Sequence, residues 1–114
     1  MDEIDWDAEL TRPALPQAVL ALLDGEPRHG YALVEVLRAH GFARIKGGTL
    51  YPMLKRFEDQ GLVEHTWTHD EAGPGRKIFS ITPLGRRELE RSIAAWHQMN
   101  ETLSGIRSQR QDNT

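Results

Sequence analysis

His29, His40, His65, His69 and His97 are the groups best suited to moving protons near neutral pH. They fall on separate segments and share no motif. His65 and His69 point to one face of an alternating stretch, but four residues at about 3.3 Å each hold them roughly 13 Å apart. That is too far to chelate one metal ion. The sequence contains no cysteine, so it has no thiol nucleophile and no cysteine-based zinc cluster. It has no His-Glu-x-x-His helix, no Gly-x-Ser-x-Gly elbow and no phosphate-cradling loop. Gly73-Pro74-Gly75-Arg76-Lys77 lacks both the glycine spacing and the Ser or Thr that such a loop requires. The expectation is a protein that is not an enzyme, with no catalytic residue, metal or cofactor.

A second kind of chemistry is better represented. Lys46, Thr49, Tyr51, Pro52, Lys55 and Arg56 gather cations, hydroxyls and an aromatic ring within eleven residues, and Arg76 and Lys77 add a further basic pair. Such groups meet phosphate oxygens and base edges in nucleic-acid interfaces. Each also has a plainer reading. Lys55 and Arg56 could solvate a helix face, Arg76 and Lys77 could blunt an edge strand, and Tyr51 could stack on its own domain. The clustering with Thr49 and Tyr51 favours DNA contact for the eight as a set.

The elements that would position these residues follow from turn signals and periodicity. A first helix begins at Pro16, where a missing N–H costs little, carries Val19, Leu20, Leu22 and Leu23, and stops at Gly25 and Pro27. A second runs from Gly30 to Ala39, with Tyr31, Val34 and Leu37 three apart, and ends at Gly41. In the third, Leu50, Met53, Leu54 and Phe57 form the inner face. Pro52 belongs in its first turn, which puts the start near Gly48 or Thr49 and the end at Gly61. Its outward face then presents Thr49, Tyr51, Pro52, Lys55 and Arg56 from the half that a recognition helix directs at bases.

Beyond Gly61 the period becomes two. Val63, His65, Trp67 and His69 alternate with Glu64, Thr66 and Thr68, and a loop over 70–75 leads to a second strand, Arg76 to Ile81. Trp67 is expected to pack this hairpin onto the helices. Thr82 can cap, and Pro83 can open, a final helix from about Leu84 to Ile106, roughly 35 Å long. Leu89, Ile93, Trp96, Met99 or Asn100, Leu103 and Ile106 recur there at threes and fours as a heptad-like seam for a second subunit. The expected fold is α+β and mostly helical, a winged helix-turn-helix domain with a long C-terminal dimerisation helix. Residues 1–12 are expected to form an acidic, mobile arm, 13–82 the winged domain, 83–106 the dimerisation helix and 107–114 a flexible tail.

The charge balance at first opposes a nucleic-acid partner. Fourteen Lys and Arg face seventeen Asp and Glu, a net −3 over 114 residues. Yet Met1 to Arg12 hold five acids and one base, a net −4, so the other 102 residues carry +1. The acidity lies in the arm, and removing Met1 to Leu10 should strengthen non-specific DNA binding. Ile4, Trp6 and Leu10 also give the arm an apolar side with which to dock. With 39% hydrophobic and 27% charged residues, the composition is that of one globular domain. Ala18 to Leu23 is the longest apolar run, too short for a membrane span. The acidic start does not look like a signal peptide, so a cytoplasmic location and no membrane partner are expected.

Gly48-Thr49-Leu50-Tyr51-Pro52, continued by Leu54-Lys55-Arg56 and Gly61-Leu62-Val63, strongly resembles the PadR family of bacterial transcriptional regulators. His29-Gly30-Tyr31, Gly75-Arg76-Lys77, Thr82 and Leu84-Gly85 resemble the same family's remaining signatures, so the likeness covers Leu15 to Leu103. It implies a dimeric winged-helix repressor on a near-palindromic operator, released by a small molecule. One terminal helix resembles the shorter subfamily, which includes multidrug-responsive members where a terminal-helix tryptophan sandwiches flat aromatic compounds. Trp96 holds the matching position, and Gln17, Leu20, Met99 and Asn100 are the implied lining. Ile78-Phe79 depart from the tyrosines usual after the basic pair, and the acidic arm departs from a start that is often basic. A winged-helix module that binds protein through the same faces is the alternative reading, and a small enzyme is the third.

Overall fold

The computed structural model describes residues 3–69 and 73–112. Met1 and Asp2 of the expected arm, residues 70–72 of the hairpin loop and residues 113–114 of the expected tail lie outside the described residues. In chain order the elements are α1 (Trp6–Gly25), β1 (Arg28–His29), α2 (Gly30–Ala39), α3 (Gly47–Asp59), β2 (Val63–Thr68), β3 (Arg76–Ile81) and α4 (Pro83–Asp112). This is the winged helix-turn-helix arrangement that the sequence predicts.

The first helix starts ten residues before Pro16. The Asp5 carboxylate accepts the Ala8 N–H at 3.1 Å, and Asp7 and Glu9 occupy the first turn, where negative charge suits the helix dipole. Pro13 and Pro16 then lie inside the helix and each removes a ladder bond. Burial of Leu15, Val19, Leu20 and Leu23 holds the helix together past them. At the other end of the chain, α4 continues through Asp112, past the expected stop at Ile106.

Two glycines end the central helices. Gly41 (φ 100°) and Gly61 (φ 76°) take left-handed backbone, the conformation that a side chain disfavours. After each, an N–H reaches five residues back, from Phe42 to Leu37 at 2.9 Å and from Leu62 to Phe57 at 2.8 Å. This closes α2 and α3 with the same C-terminal motif. α3 begins at Gly47, one residue earlier than expected, so Pro52 falls in its second turn. The carbonyl that loses a partner belongs to exposed Gly48, where water can reach it.

The sheet is antiparallel, in the order β1-β3-β2. β2 and β3 pair from Val63↔Ile81 to Thr68↔Arg76. β1 adds Arg28↔Phe79 and His29↔Ile78. This strand was not anticipated, because two residues after a proline carry no alternation. The core gathers α1, α2, α3 and the base of the hairpin around Leu33, Leu37, Leu50 and Leu54, all fully buried. Leu89 is only 4% exposed and belongs to this core, which removes it from the dimerisation seam. The first turns of α4 lie on the domain, so the exposed apolar row of α4 starts further along. Ile93 packs partly against the core as well. Leu20, expected to line an effector pocket, is likewise buried at 4%, because α1 turns that face inward with Val19 and Leu23.

Thr82 joins the parts. Its hydroxyl donates to the carbonyls of Gly61 (2.6 Å) and Leu62 (3.1 Å) and accepts the Gly85 N–H (3.0 Å). Gly85 sits so close to the Leu62 carbonyl that a Cβ there would collide with backbone. The end of α3, the root of the wing and the start of α4 therefore meet at one point. Arg86 adds a 3.1 Å ion pair to Asp24 at the end of α1.

Candidate nucleic-acid interface

On α3 the apolar residues Leu50, Leu54 and Phe57 turn inward, and the 3.6-residue period leaves Thr49, Tyr51, Pro52, Lys55 and Arg56 exposed. Lys46 is exposed at the position just before the helix. Arg76 and Lys77 are exposed at the start of β3. All eight residues singled out from the sequence therefore stand on the surface.

Tyr51 sits in a slot made by absent side chains. A Cβ on Gly30 would lie 2.5 Å from the Tyr51 ring, and one on Gly47 would lie 3.1 Å from its other edge. The ring thus packs on its own domain between α2 and α3 while remaining 49% exposed. Beside it opens a cleft of about 410 Å³ lined by His29, Gly30, Tyr31, Tyr51, Arg76, Lys77 and Phe79. The cleft brings the first turn of α2, Tyr51 of α3 and the basic start of β3 together. His29, at the α2 N-cap, makes no side-chain cap; its Nδ1 lies 3.3 Å from the Lys77 carbonyl and so ties the helix start to the wing. A phosphate oxygen entering here would meet tyrosine hydroxyls, two cations and the positive end of a helix.

Two local pairs set the charges. Lys55 Nζ donates to Asp59 Oδ1 at 2.9 Å, one turn along α3. That bond, with the negative charge of Asp59 behind it, raises the Lys55 pKa above its usual 10.5 and keeps the ammonium charged. The second pair, His65 Nδ1 and Glu58 Oε1 at 2.7 Å, fastens β2 to the last turn of α3. Trp67 differs from the expectation. It is 55% exposed and does not pack the hairpin onto the helices, because its position on β2 lies beyond the edge of the core. Lys77, its cross-strand partner, places its ammonium 5.7 Å from the ring centre, and His65 meets the ring edge-on.

A separate surface is apolar. Trp96, Met99, Leu103 and Ile106 on α4 are 36%, 54%, 58% and 61% exposed, and Asn100 lies among them. Trp6 and Leu10 on α1 are exposed too. Gln17 accepts a 2.8 Å hydrogen bond from the Ser92 hydroxyl where α1 and α4 meet, so its amide oxygen is already engaged. Among the described residues, no group of three or more His, Cys, Asp or Glu is placed to hold a metal ion. No described helix is long and apolar enough to cross a membrane. The sequence marks His29 and Gly30 only as part of a family signature and gives Arg44 no role, whereas the fold sets all three on the basic face or its margin. The first two carried a signal in the Gly30–Tyr51 complementarity, but only the fold brings them together.

Residues 19–91 match the family described as Transcriptional regulator PadR-like. A transcriptional regulator of Mycobacterium tuberculosis is 33% identical over 98 residues, which span 85% of this chain and 90% of that protein. The crystal structure of a PadR family transcriptional regulator from Eggerthella lenta superposes with a TM-score of 0.80 at 37% identity, covering 87% of this chain and 86% of the other. Bacillus subtilis PadR, solved in complex with operator DNA, gives 0.64 at 24% identity over 70% of this chain and 47% of that one, a likeness of fold.

Proposed function

The chain belongs to the PadR-like family of transcriptional regulators, and on that premise we propose that it binds double-stranded operator DNA as a homodimer and represses transcription. The observation that carries the reading is the meeting of three elements at one cleft. The exposed face of α3, the first turn of α2 and the Arg76-Lys77 pair of the wing lie side by side, with Tyr51 between them. An α-helix fits the major groove, and the wing then meets the flanking backbone. Thr49, Tyr51, Pro52, Lys55 and Arg56 would approach the bases and nearest phosphates. Lys46, Arg76 and Lys77 would grip the backbone.

The exposed row Trp96, Met99, Leu103 and Ile106 supports pairing of two subunits along α4. A two-fold pair sets two recognition helices about one DNA turn apart, roughly 34 Å, and so asks for a near-palindromic site. Gln17, Trp96, Met99 and Asn100 would then border a space between subunits suited to a flat aromatic effector. Such a compound releases DNA only if it binds the non-reading geometry more tightly. Sequencing of genomic DNA captured by the purified protein, followed by footprinting, tests the whole reading. Protected inverted repeats upstream of a few genes are expected. Absence of any protected site at low salt would overturn it.

A further inference from the structure

The DNA reading leaves unused the acids that open α1. Asp5 has two bonds to make. Its Oδ1 caps the helix through Ala8, while its Oδ2 lies 3.9 Å from Nη2 of Arg44. Arg44 stands on the turn between α2 and α3, two residues before Lys46 and the start of the recognition helix. Arg38 braces that turn by donating to the Ile45 carbonyl at 3.1 Å. A cleft of about 660 Å³ separates the two sides, with Asp5, Asp7 and Glu9 on one and Arg44, Ile45 and Thr49 on the other. These acids are exposed to solvent but fixed in position. A helix cap and two prolines' worth of continuous helix hold them beside the leading edge of the face that would read DNA.

We propose that Asp5, with Asp7 and Glu9, is a specificity determinant that works against unselected DNA. This rests on the reading of α3 as the recognition helix. Asp5 stands beside Arg44 where a phosphate could, and all three acids line the same cleft as Thr49, so a backbone passing Thr49 would feel their charge over the Debye length of roughly 8 Å at physiological salt. Their repulsion falls on every sequence alike. Base contacts by α3 are made only on the right sequence, so the charge subtracts from all binding and leaves a useful affinity only where those contacts offset it. Asp5 and a phosphate compete for the exposed Arg44 guanidinium, so a backbone contact there is weaker while Asp5 stays beside it.

The test uses the full chain and a fluorescein-labelled random-sequence 30-base-pair duplex, with anisotropy read over a range of salt. Asn caps helices as well as Asp, so Asp5→Asn removes the charge and keeps α1, which circular dichroism verifies. The Asp5→Asn, Asp7→Asn, Glu9→Gln triple variant should bind the random duplex about tenfold more tightly at low salt, with the gain shrinking as screening rises. Arg44→Ala should change little in the wild-type chain but weaken binding severalfold in the Asp5→Asn background, the signature of a coupled pair. Unchanged or weaker binding by the triple variant overturns the proposal, as does a gain that persists at high salt. Lys55→Ala with Arg56→Ala separates the two readings. If that double variant loses DNA while the acidic variants behave as wild type, only the specificity role falls. If no variant binds any duplex, both fall.

Discussion

Replacement of Gly30 by alanine asks whether the Tyr51 slot serves DNA binding or merely packing. The backbone there is not left-handed, so a methyl group introduces no backbone strain. It would lie 2.5 Å from Tyr51 Cε1, 2.7 Å from the hydroxyl oxygen and 2.8 Å from Cζ. Carbon atoms rest about 3.5–4.0 Å apart, so the ring must retreat by about 1 Å or more. On the opposite edge Gly47 has no side chain, so the ring has room to slide toward it as well as to swing outward. By either route the hydroxyl leaves the position it holds in the cleft. Stability should barely change: the ring is half exposed, and alanine stiffens the unfolded chain by about 0.4–1 kcal/mol in favour of folding. DNA affinity should fall. A hydrogen bond to a charged phosphate contributes about 1.5–3 kcal/mol, so its loss weakens binding roughly 10- to 150-fold. Tyrosine is neutral, so the dependence of log affinity on log salt should keep its slope, whereas Lys77→Ala should reduce that slope by about 1. Anisotropy with a duplex recovered from the genome, at four salt concentrations, measures both quantities. Wild-type affinity in a folded Gly30→Ala protein would refute the reasoning, and so would a collapse of stability in urea.

The remaining expectations concern three other contacts. Asp59→Asn releases Lys55 from its 2.9 Å partner and should tighten DNA binding severalfold; a weaker complex would mean that Asp59 orients the ammonium toward DNA. The raised Lys55 pKa means its charge is present below 10.5 and is lost only as pH rises through the higher folded value, so binding between pH 6 and 9 should not titrate on this group. Thr82→Val removes one donor and one acceptor at the junction of α3, the wing and α4 and should lower unfolding free energy by about 1–3 kcal/mol, read by urea denaturation. Trp96→Ala should abolish quenching of tryptophan fluorescence by planar aromatic compounds, with Trp6 and Trp67 remaining as unresponsive emitters; unchanged quenching would place the compound elsewhere.

α3 is legible because three signals agree along it: an apolar period, a basic outer face and a glycine stop at Gly61. The hairpin was legible by its alternation, and α2 by Gly30 and Gly41 at its ends. The start of α1 was obscured by Pro13 and Pro16, which read locally as punctuation, while the Asp5 cap and the acids after it mark the true beginning. Leu89 and Leu20 share their period with exposed neighbours, and no pattern within one helix says where a neighbouring element ends its cover. Trp67 failed for a related reason, since alternation assigns it a face of β2 but not the depth of core beneath that face. The cleft around Tyr51 depends on two glycines 17 residues apart in sequence, and that complementarity appears only when α2 and α3 cross.

The contact at Thr82 has a mechanical meaning. Because one hydroxyl fastens the exit of α3 and the root of the wing to the entry of α4, and Gly85 presses on the Leu62 carbonyl, no hinge remains between the reading head and its long shaft. The molecule extends 70 Å along its longest axis. A rigid lever of that kind converts a tilt at one end into a displacement at the other. A rotation of about 5° between two shafts moves a point roughly 20 Å away by about 2 Å, a shift comparable to those at switching subunit interfaces. In the proposed dimer, a compound that changed how two copies of α4 cross would thus alter the separation of the heads without deforming either one.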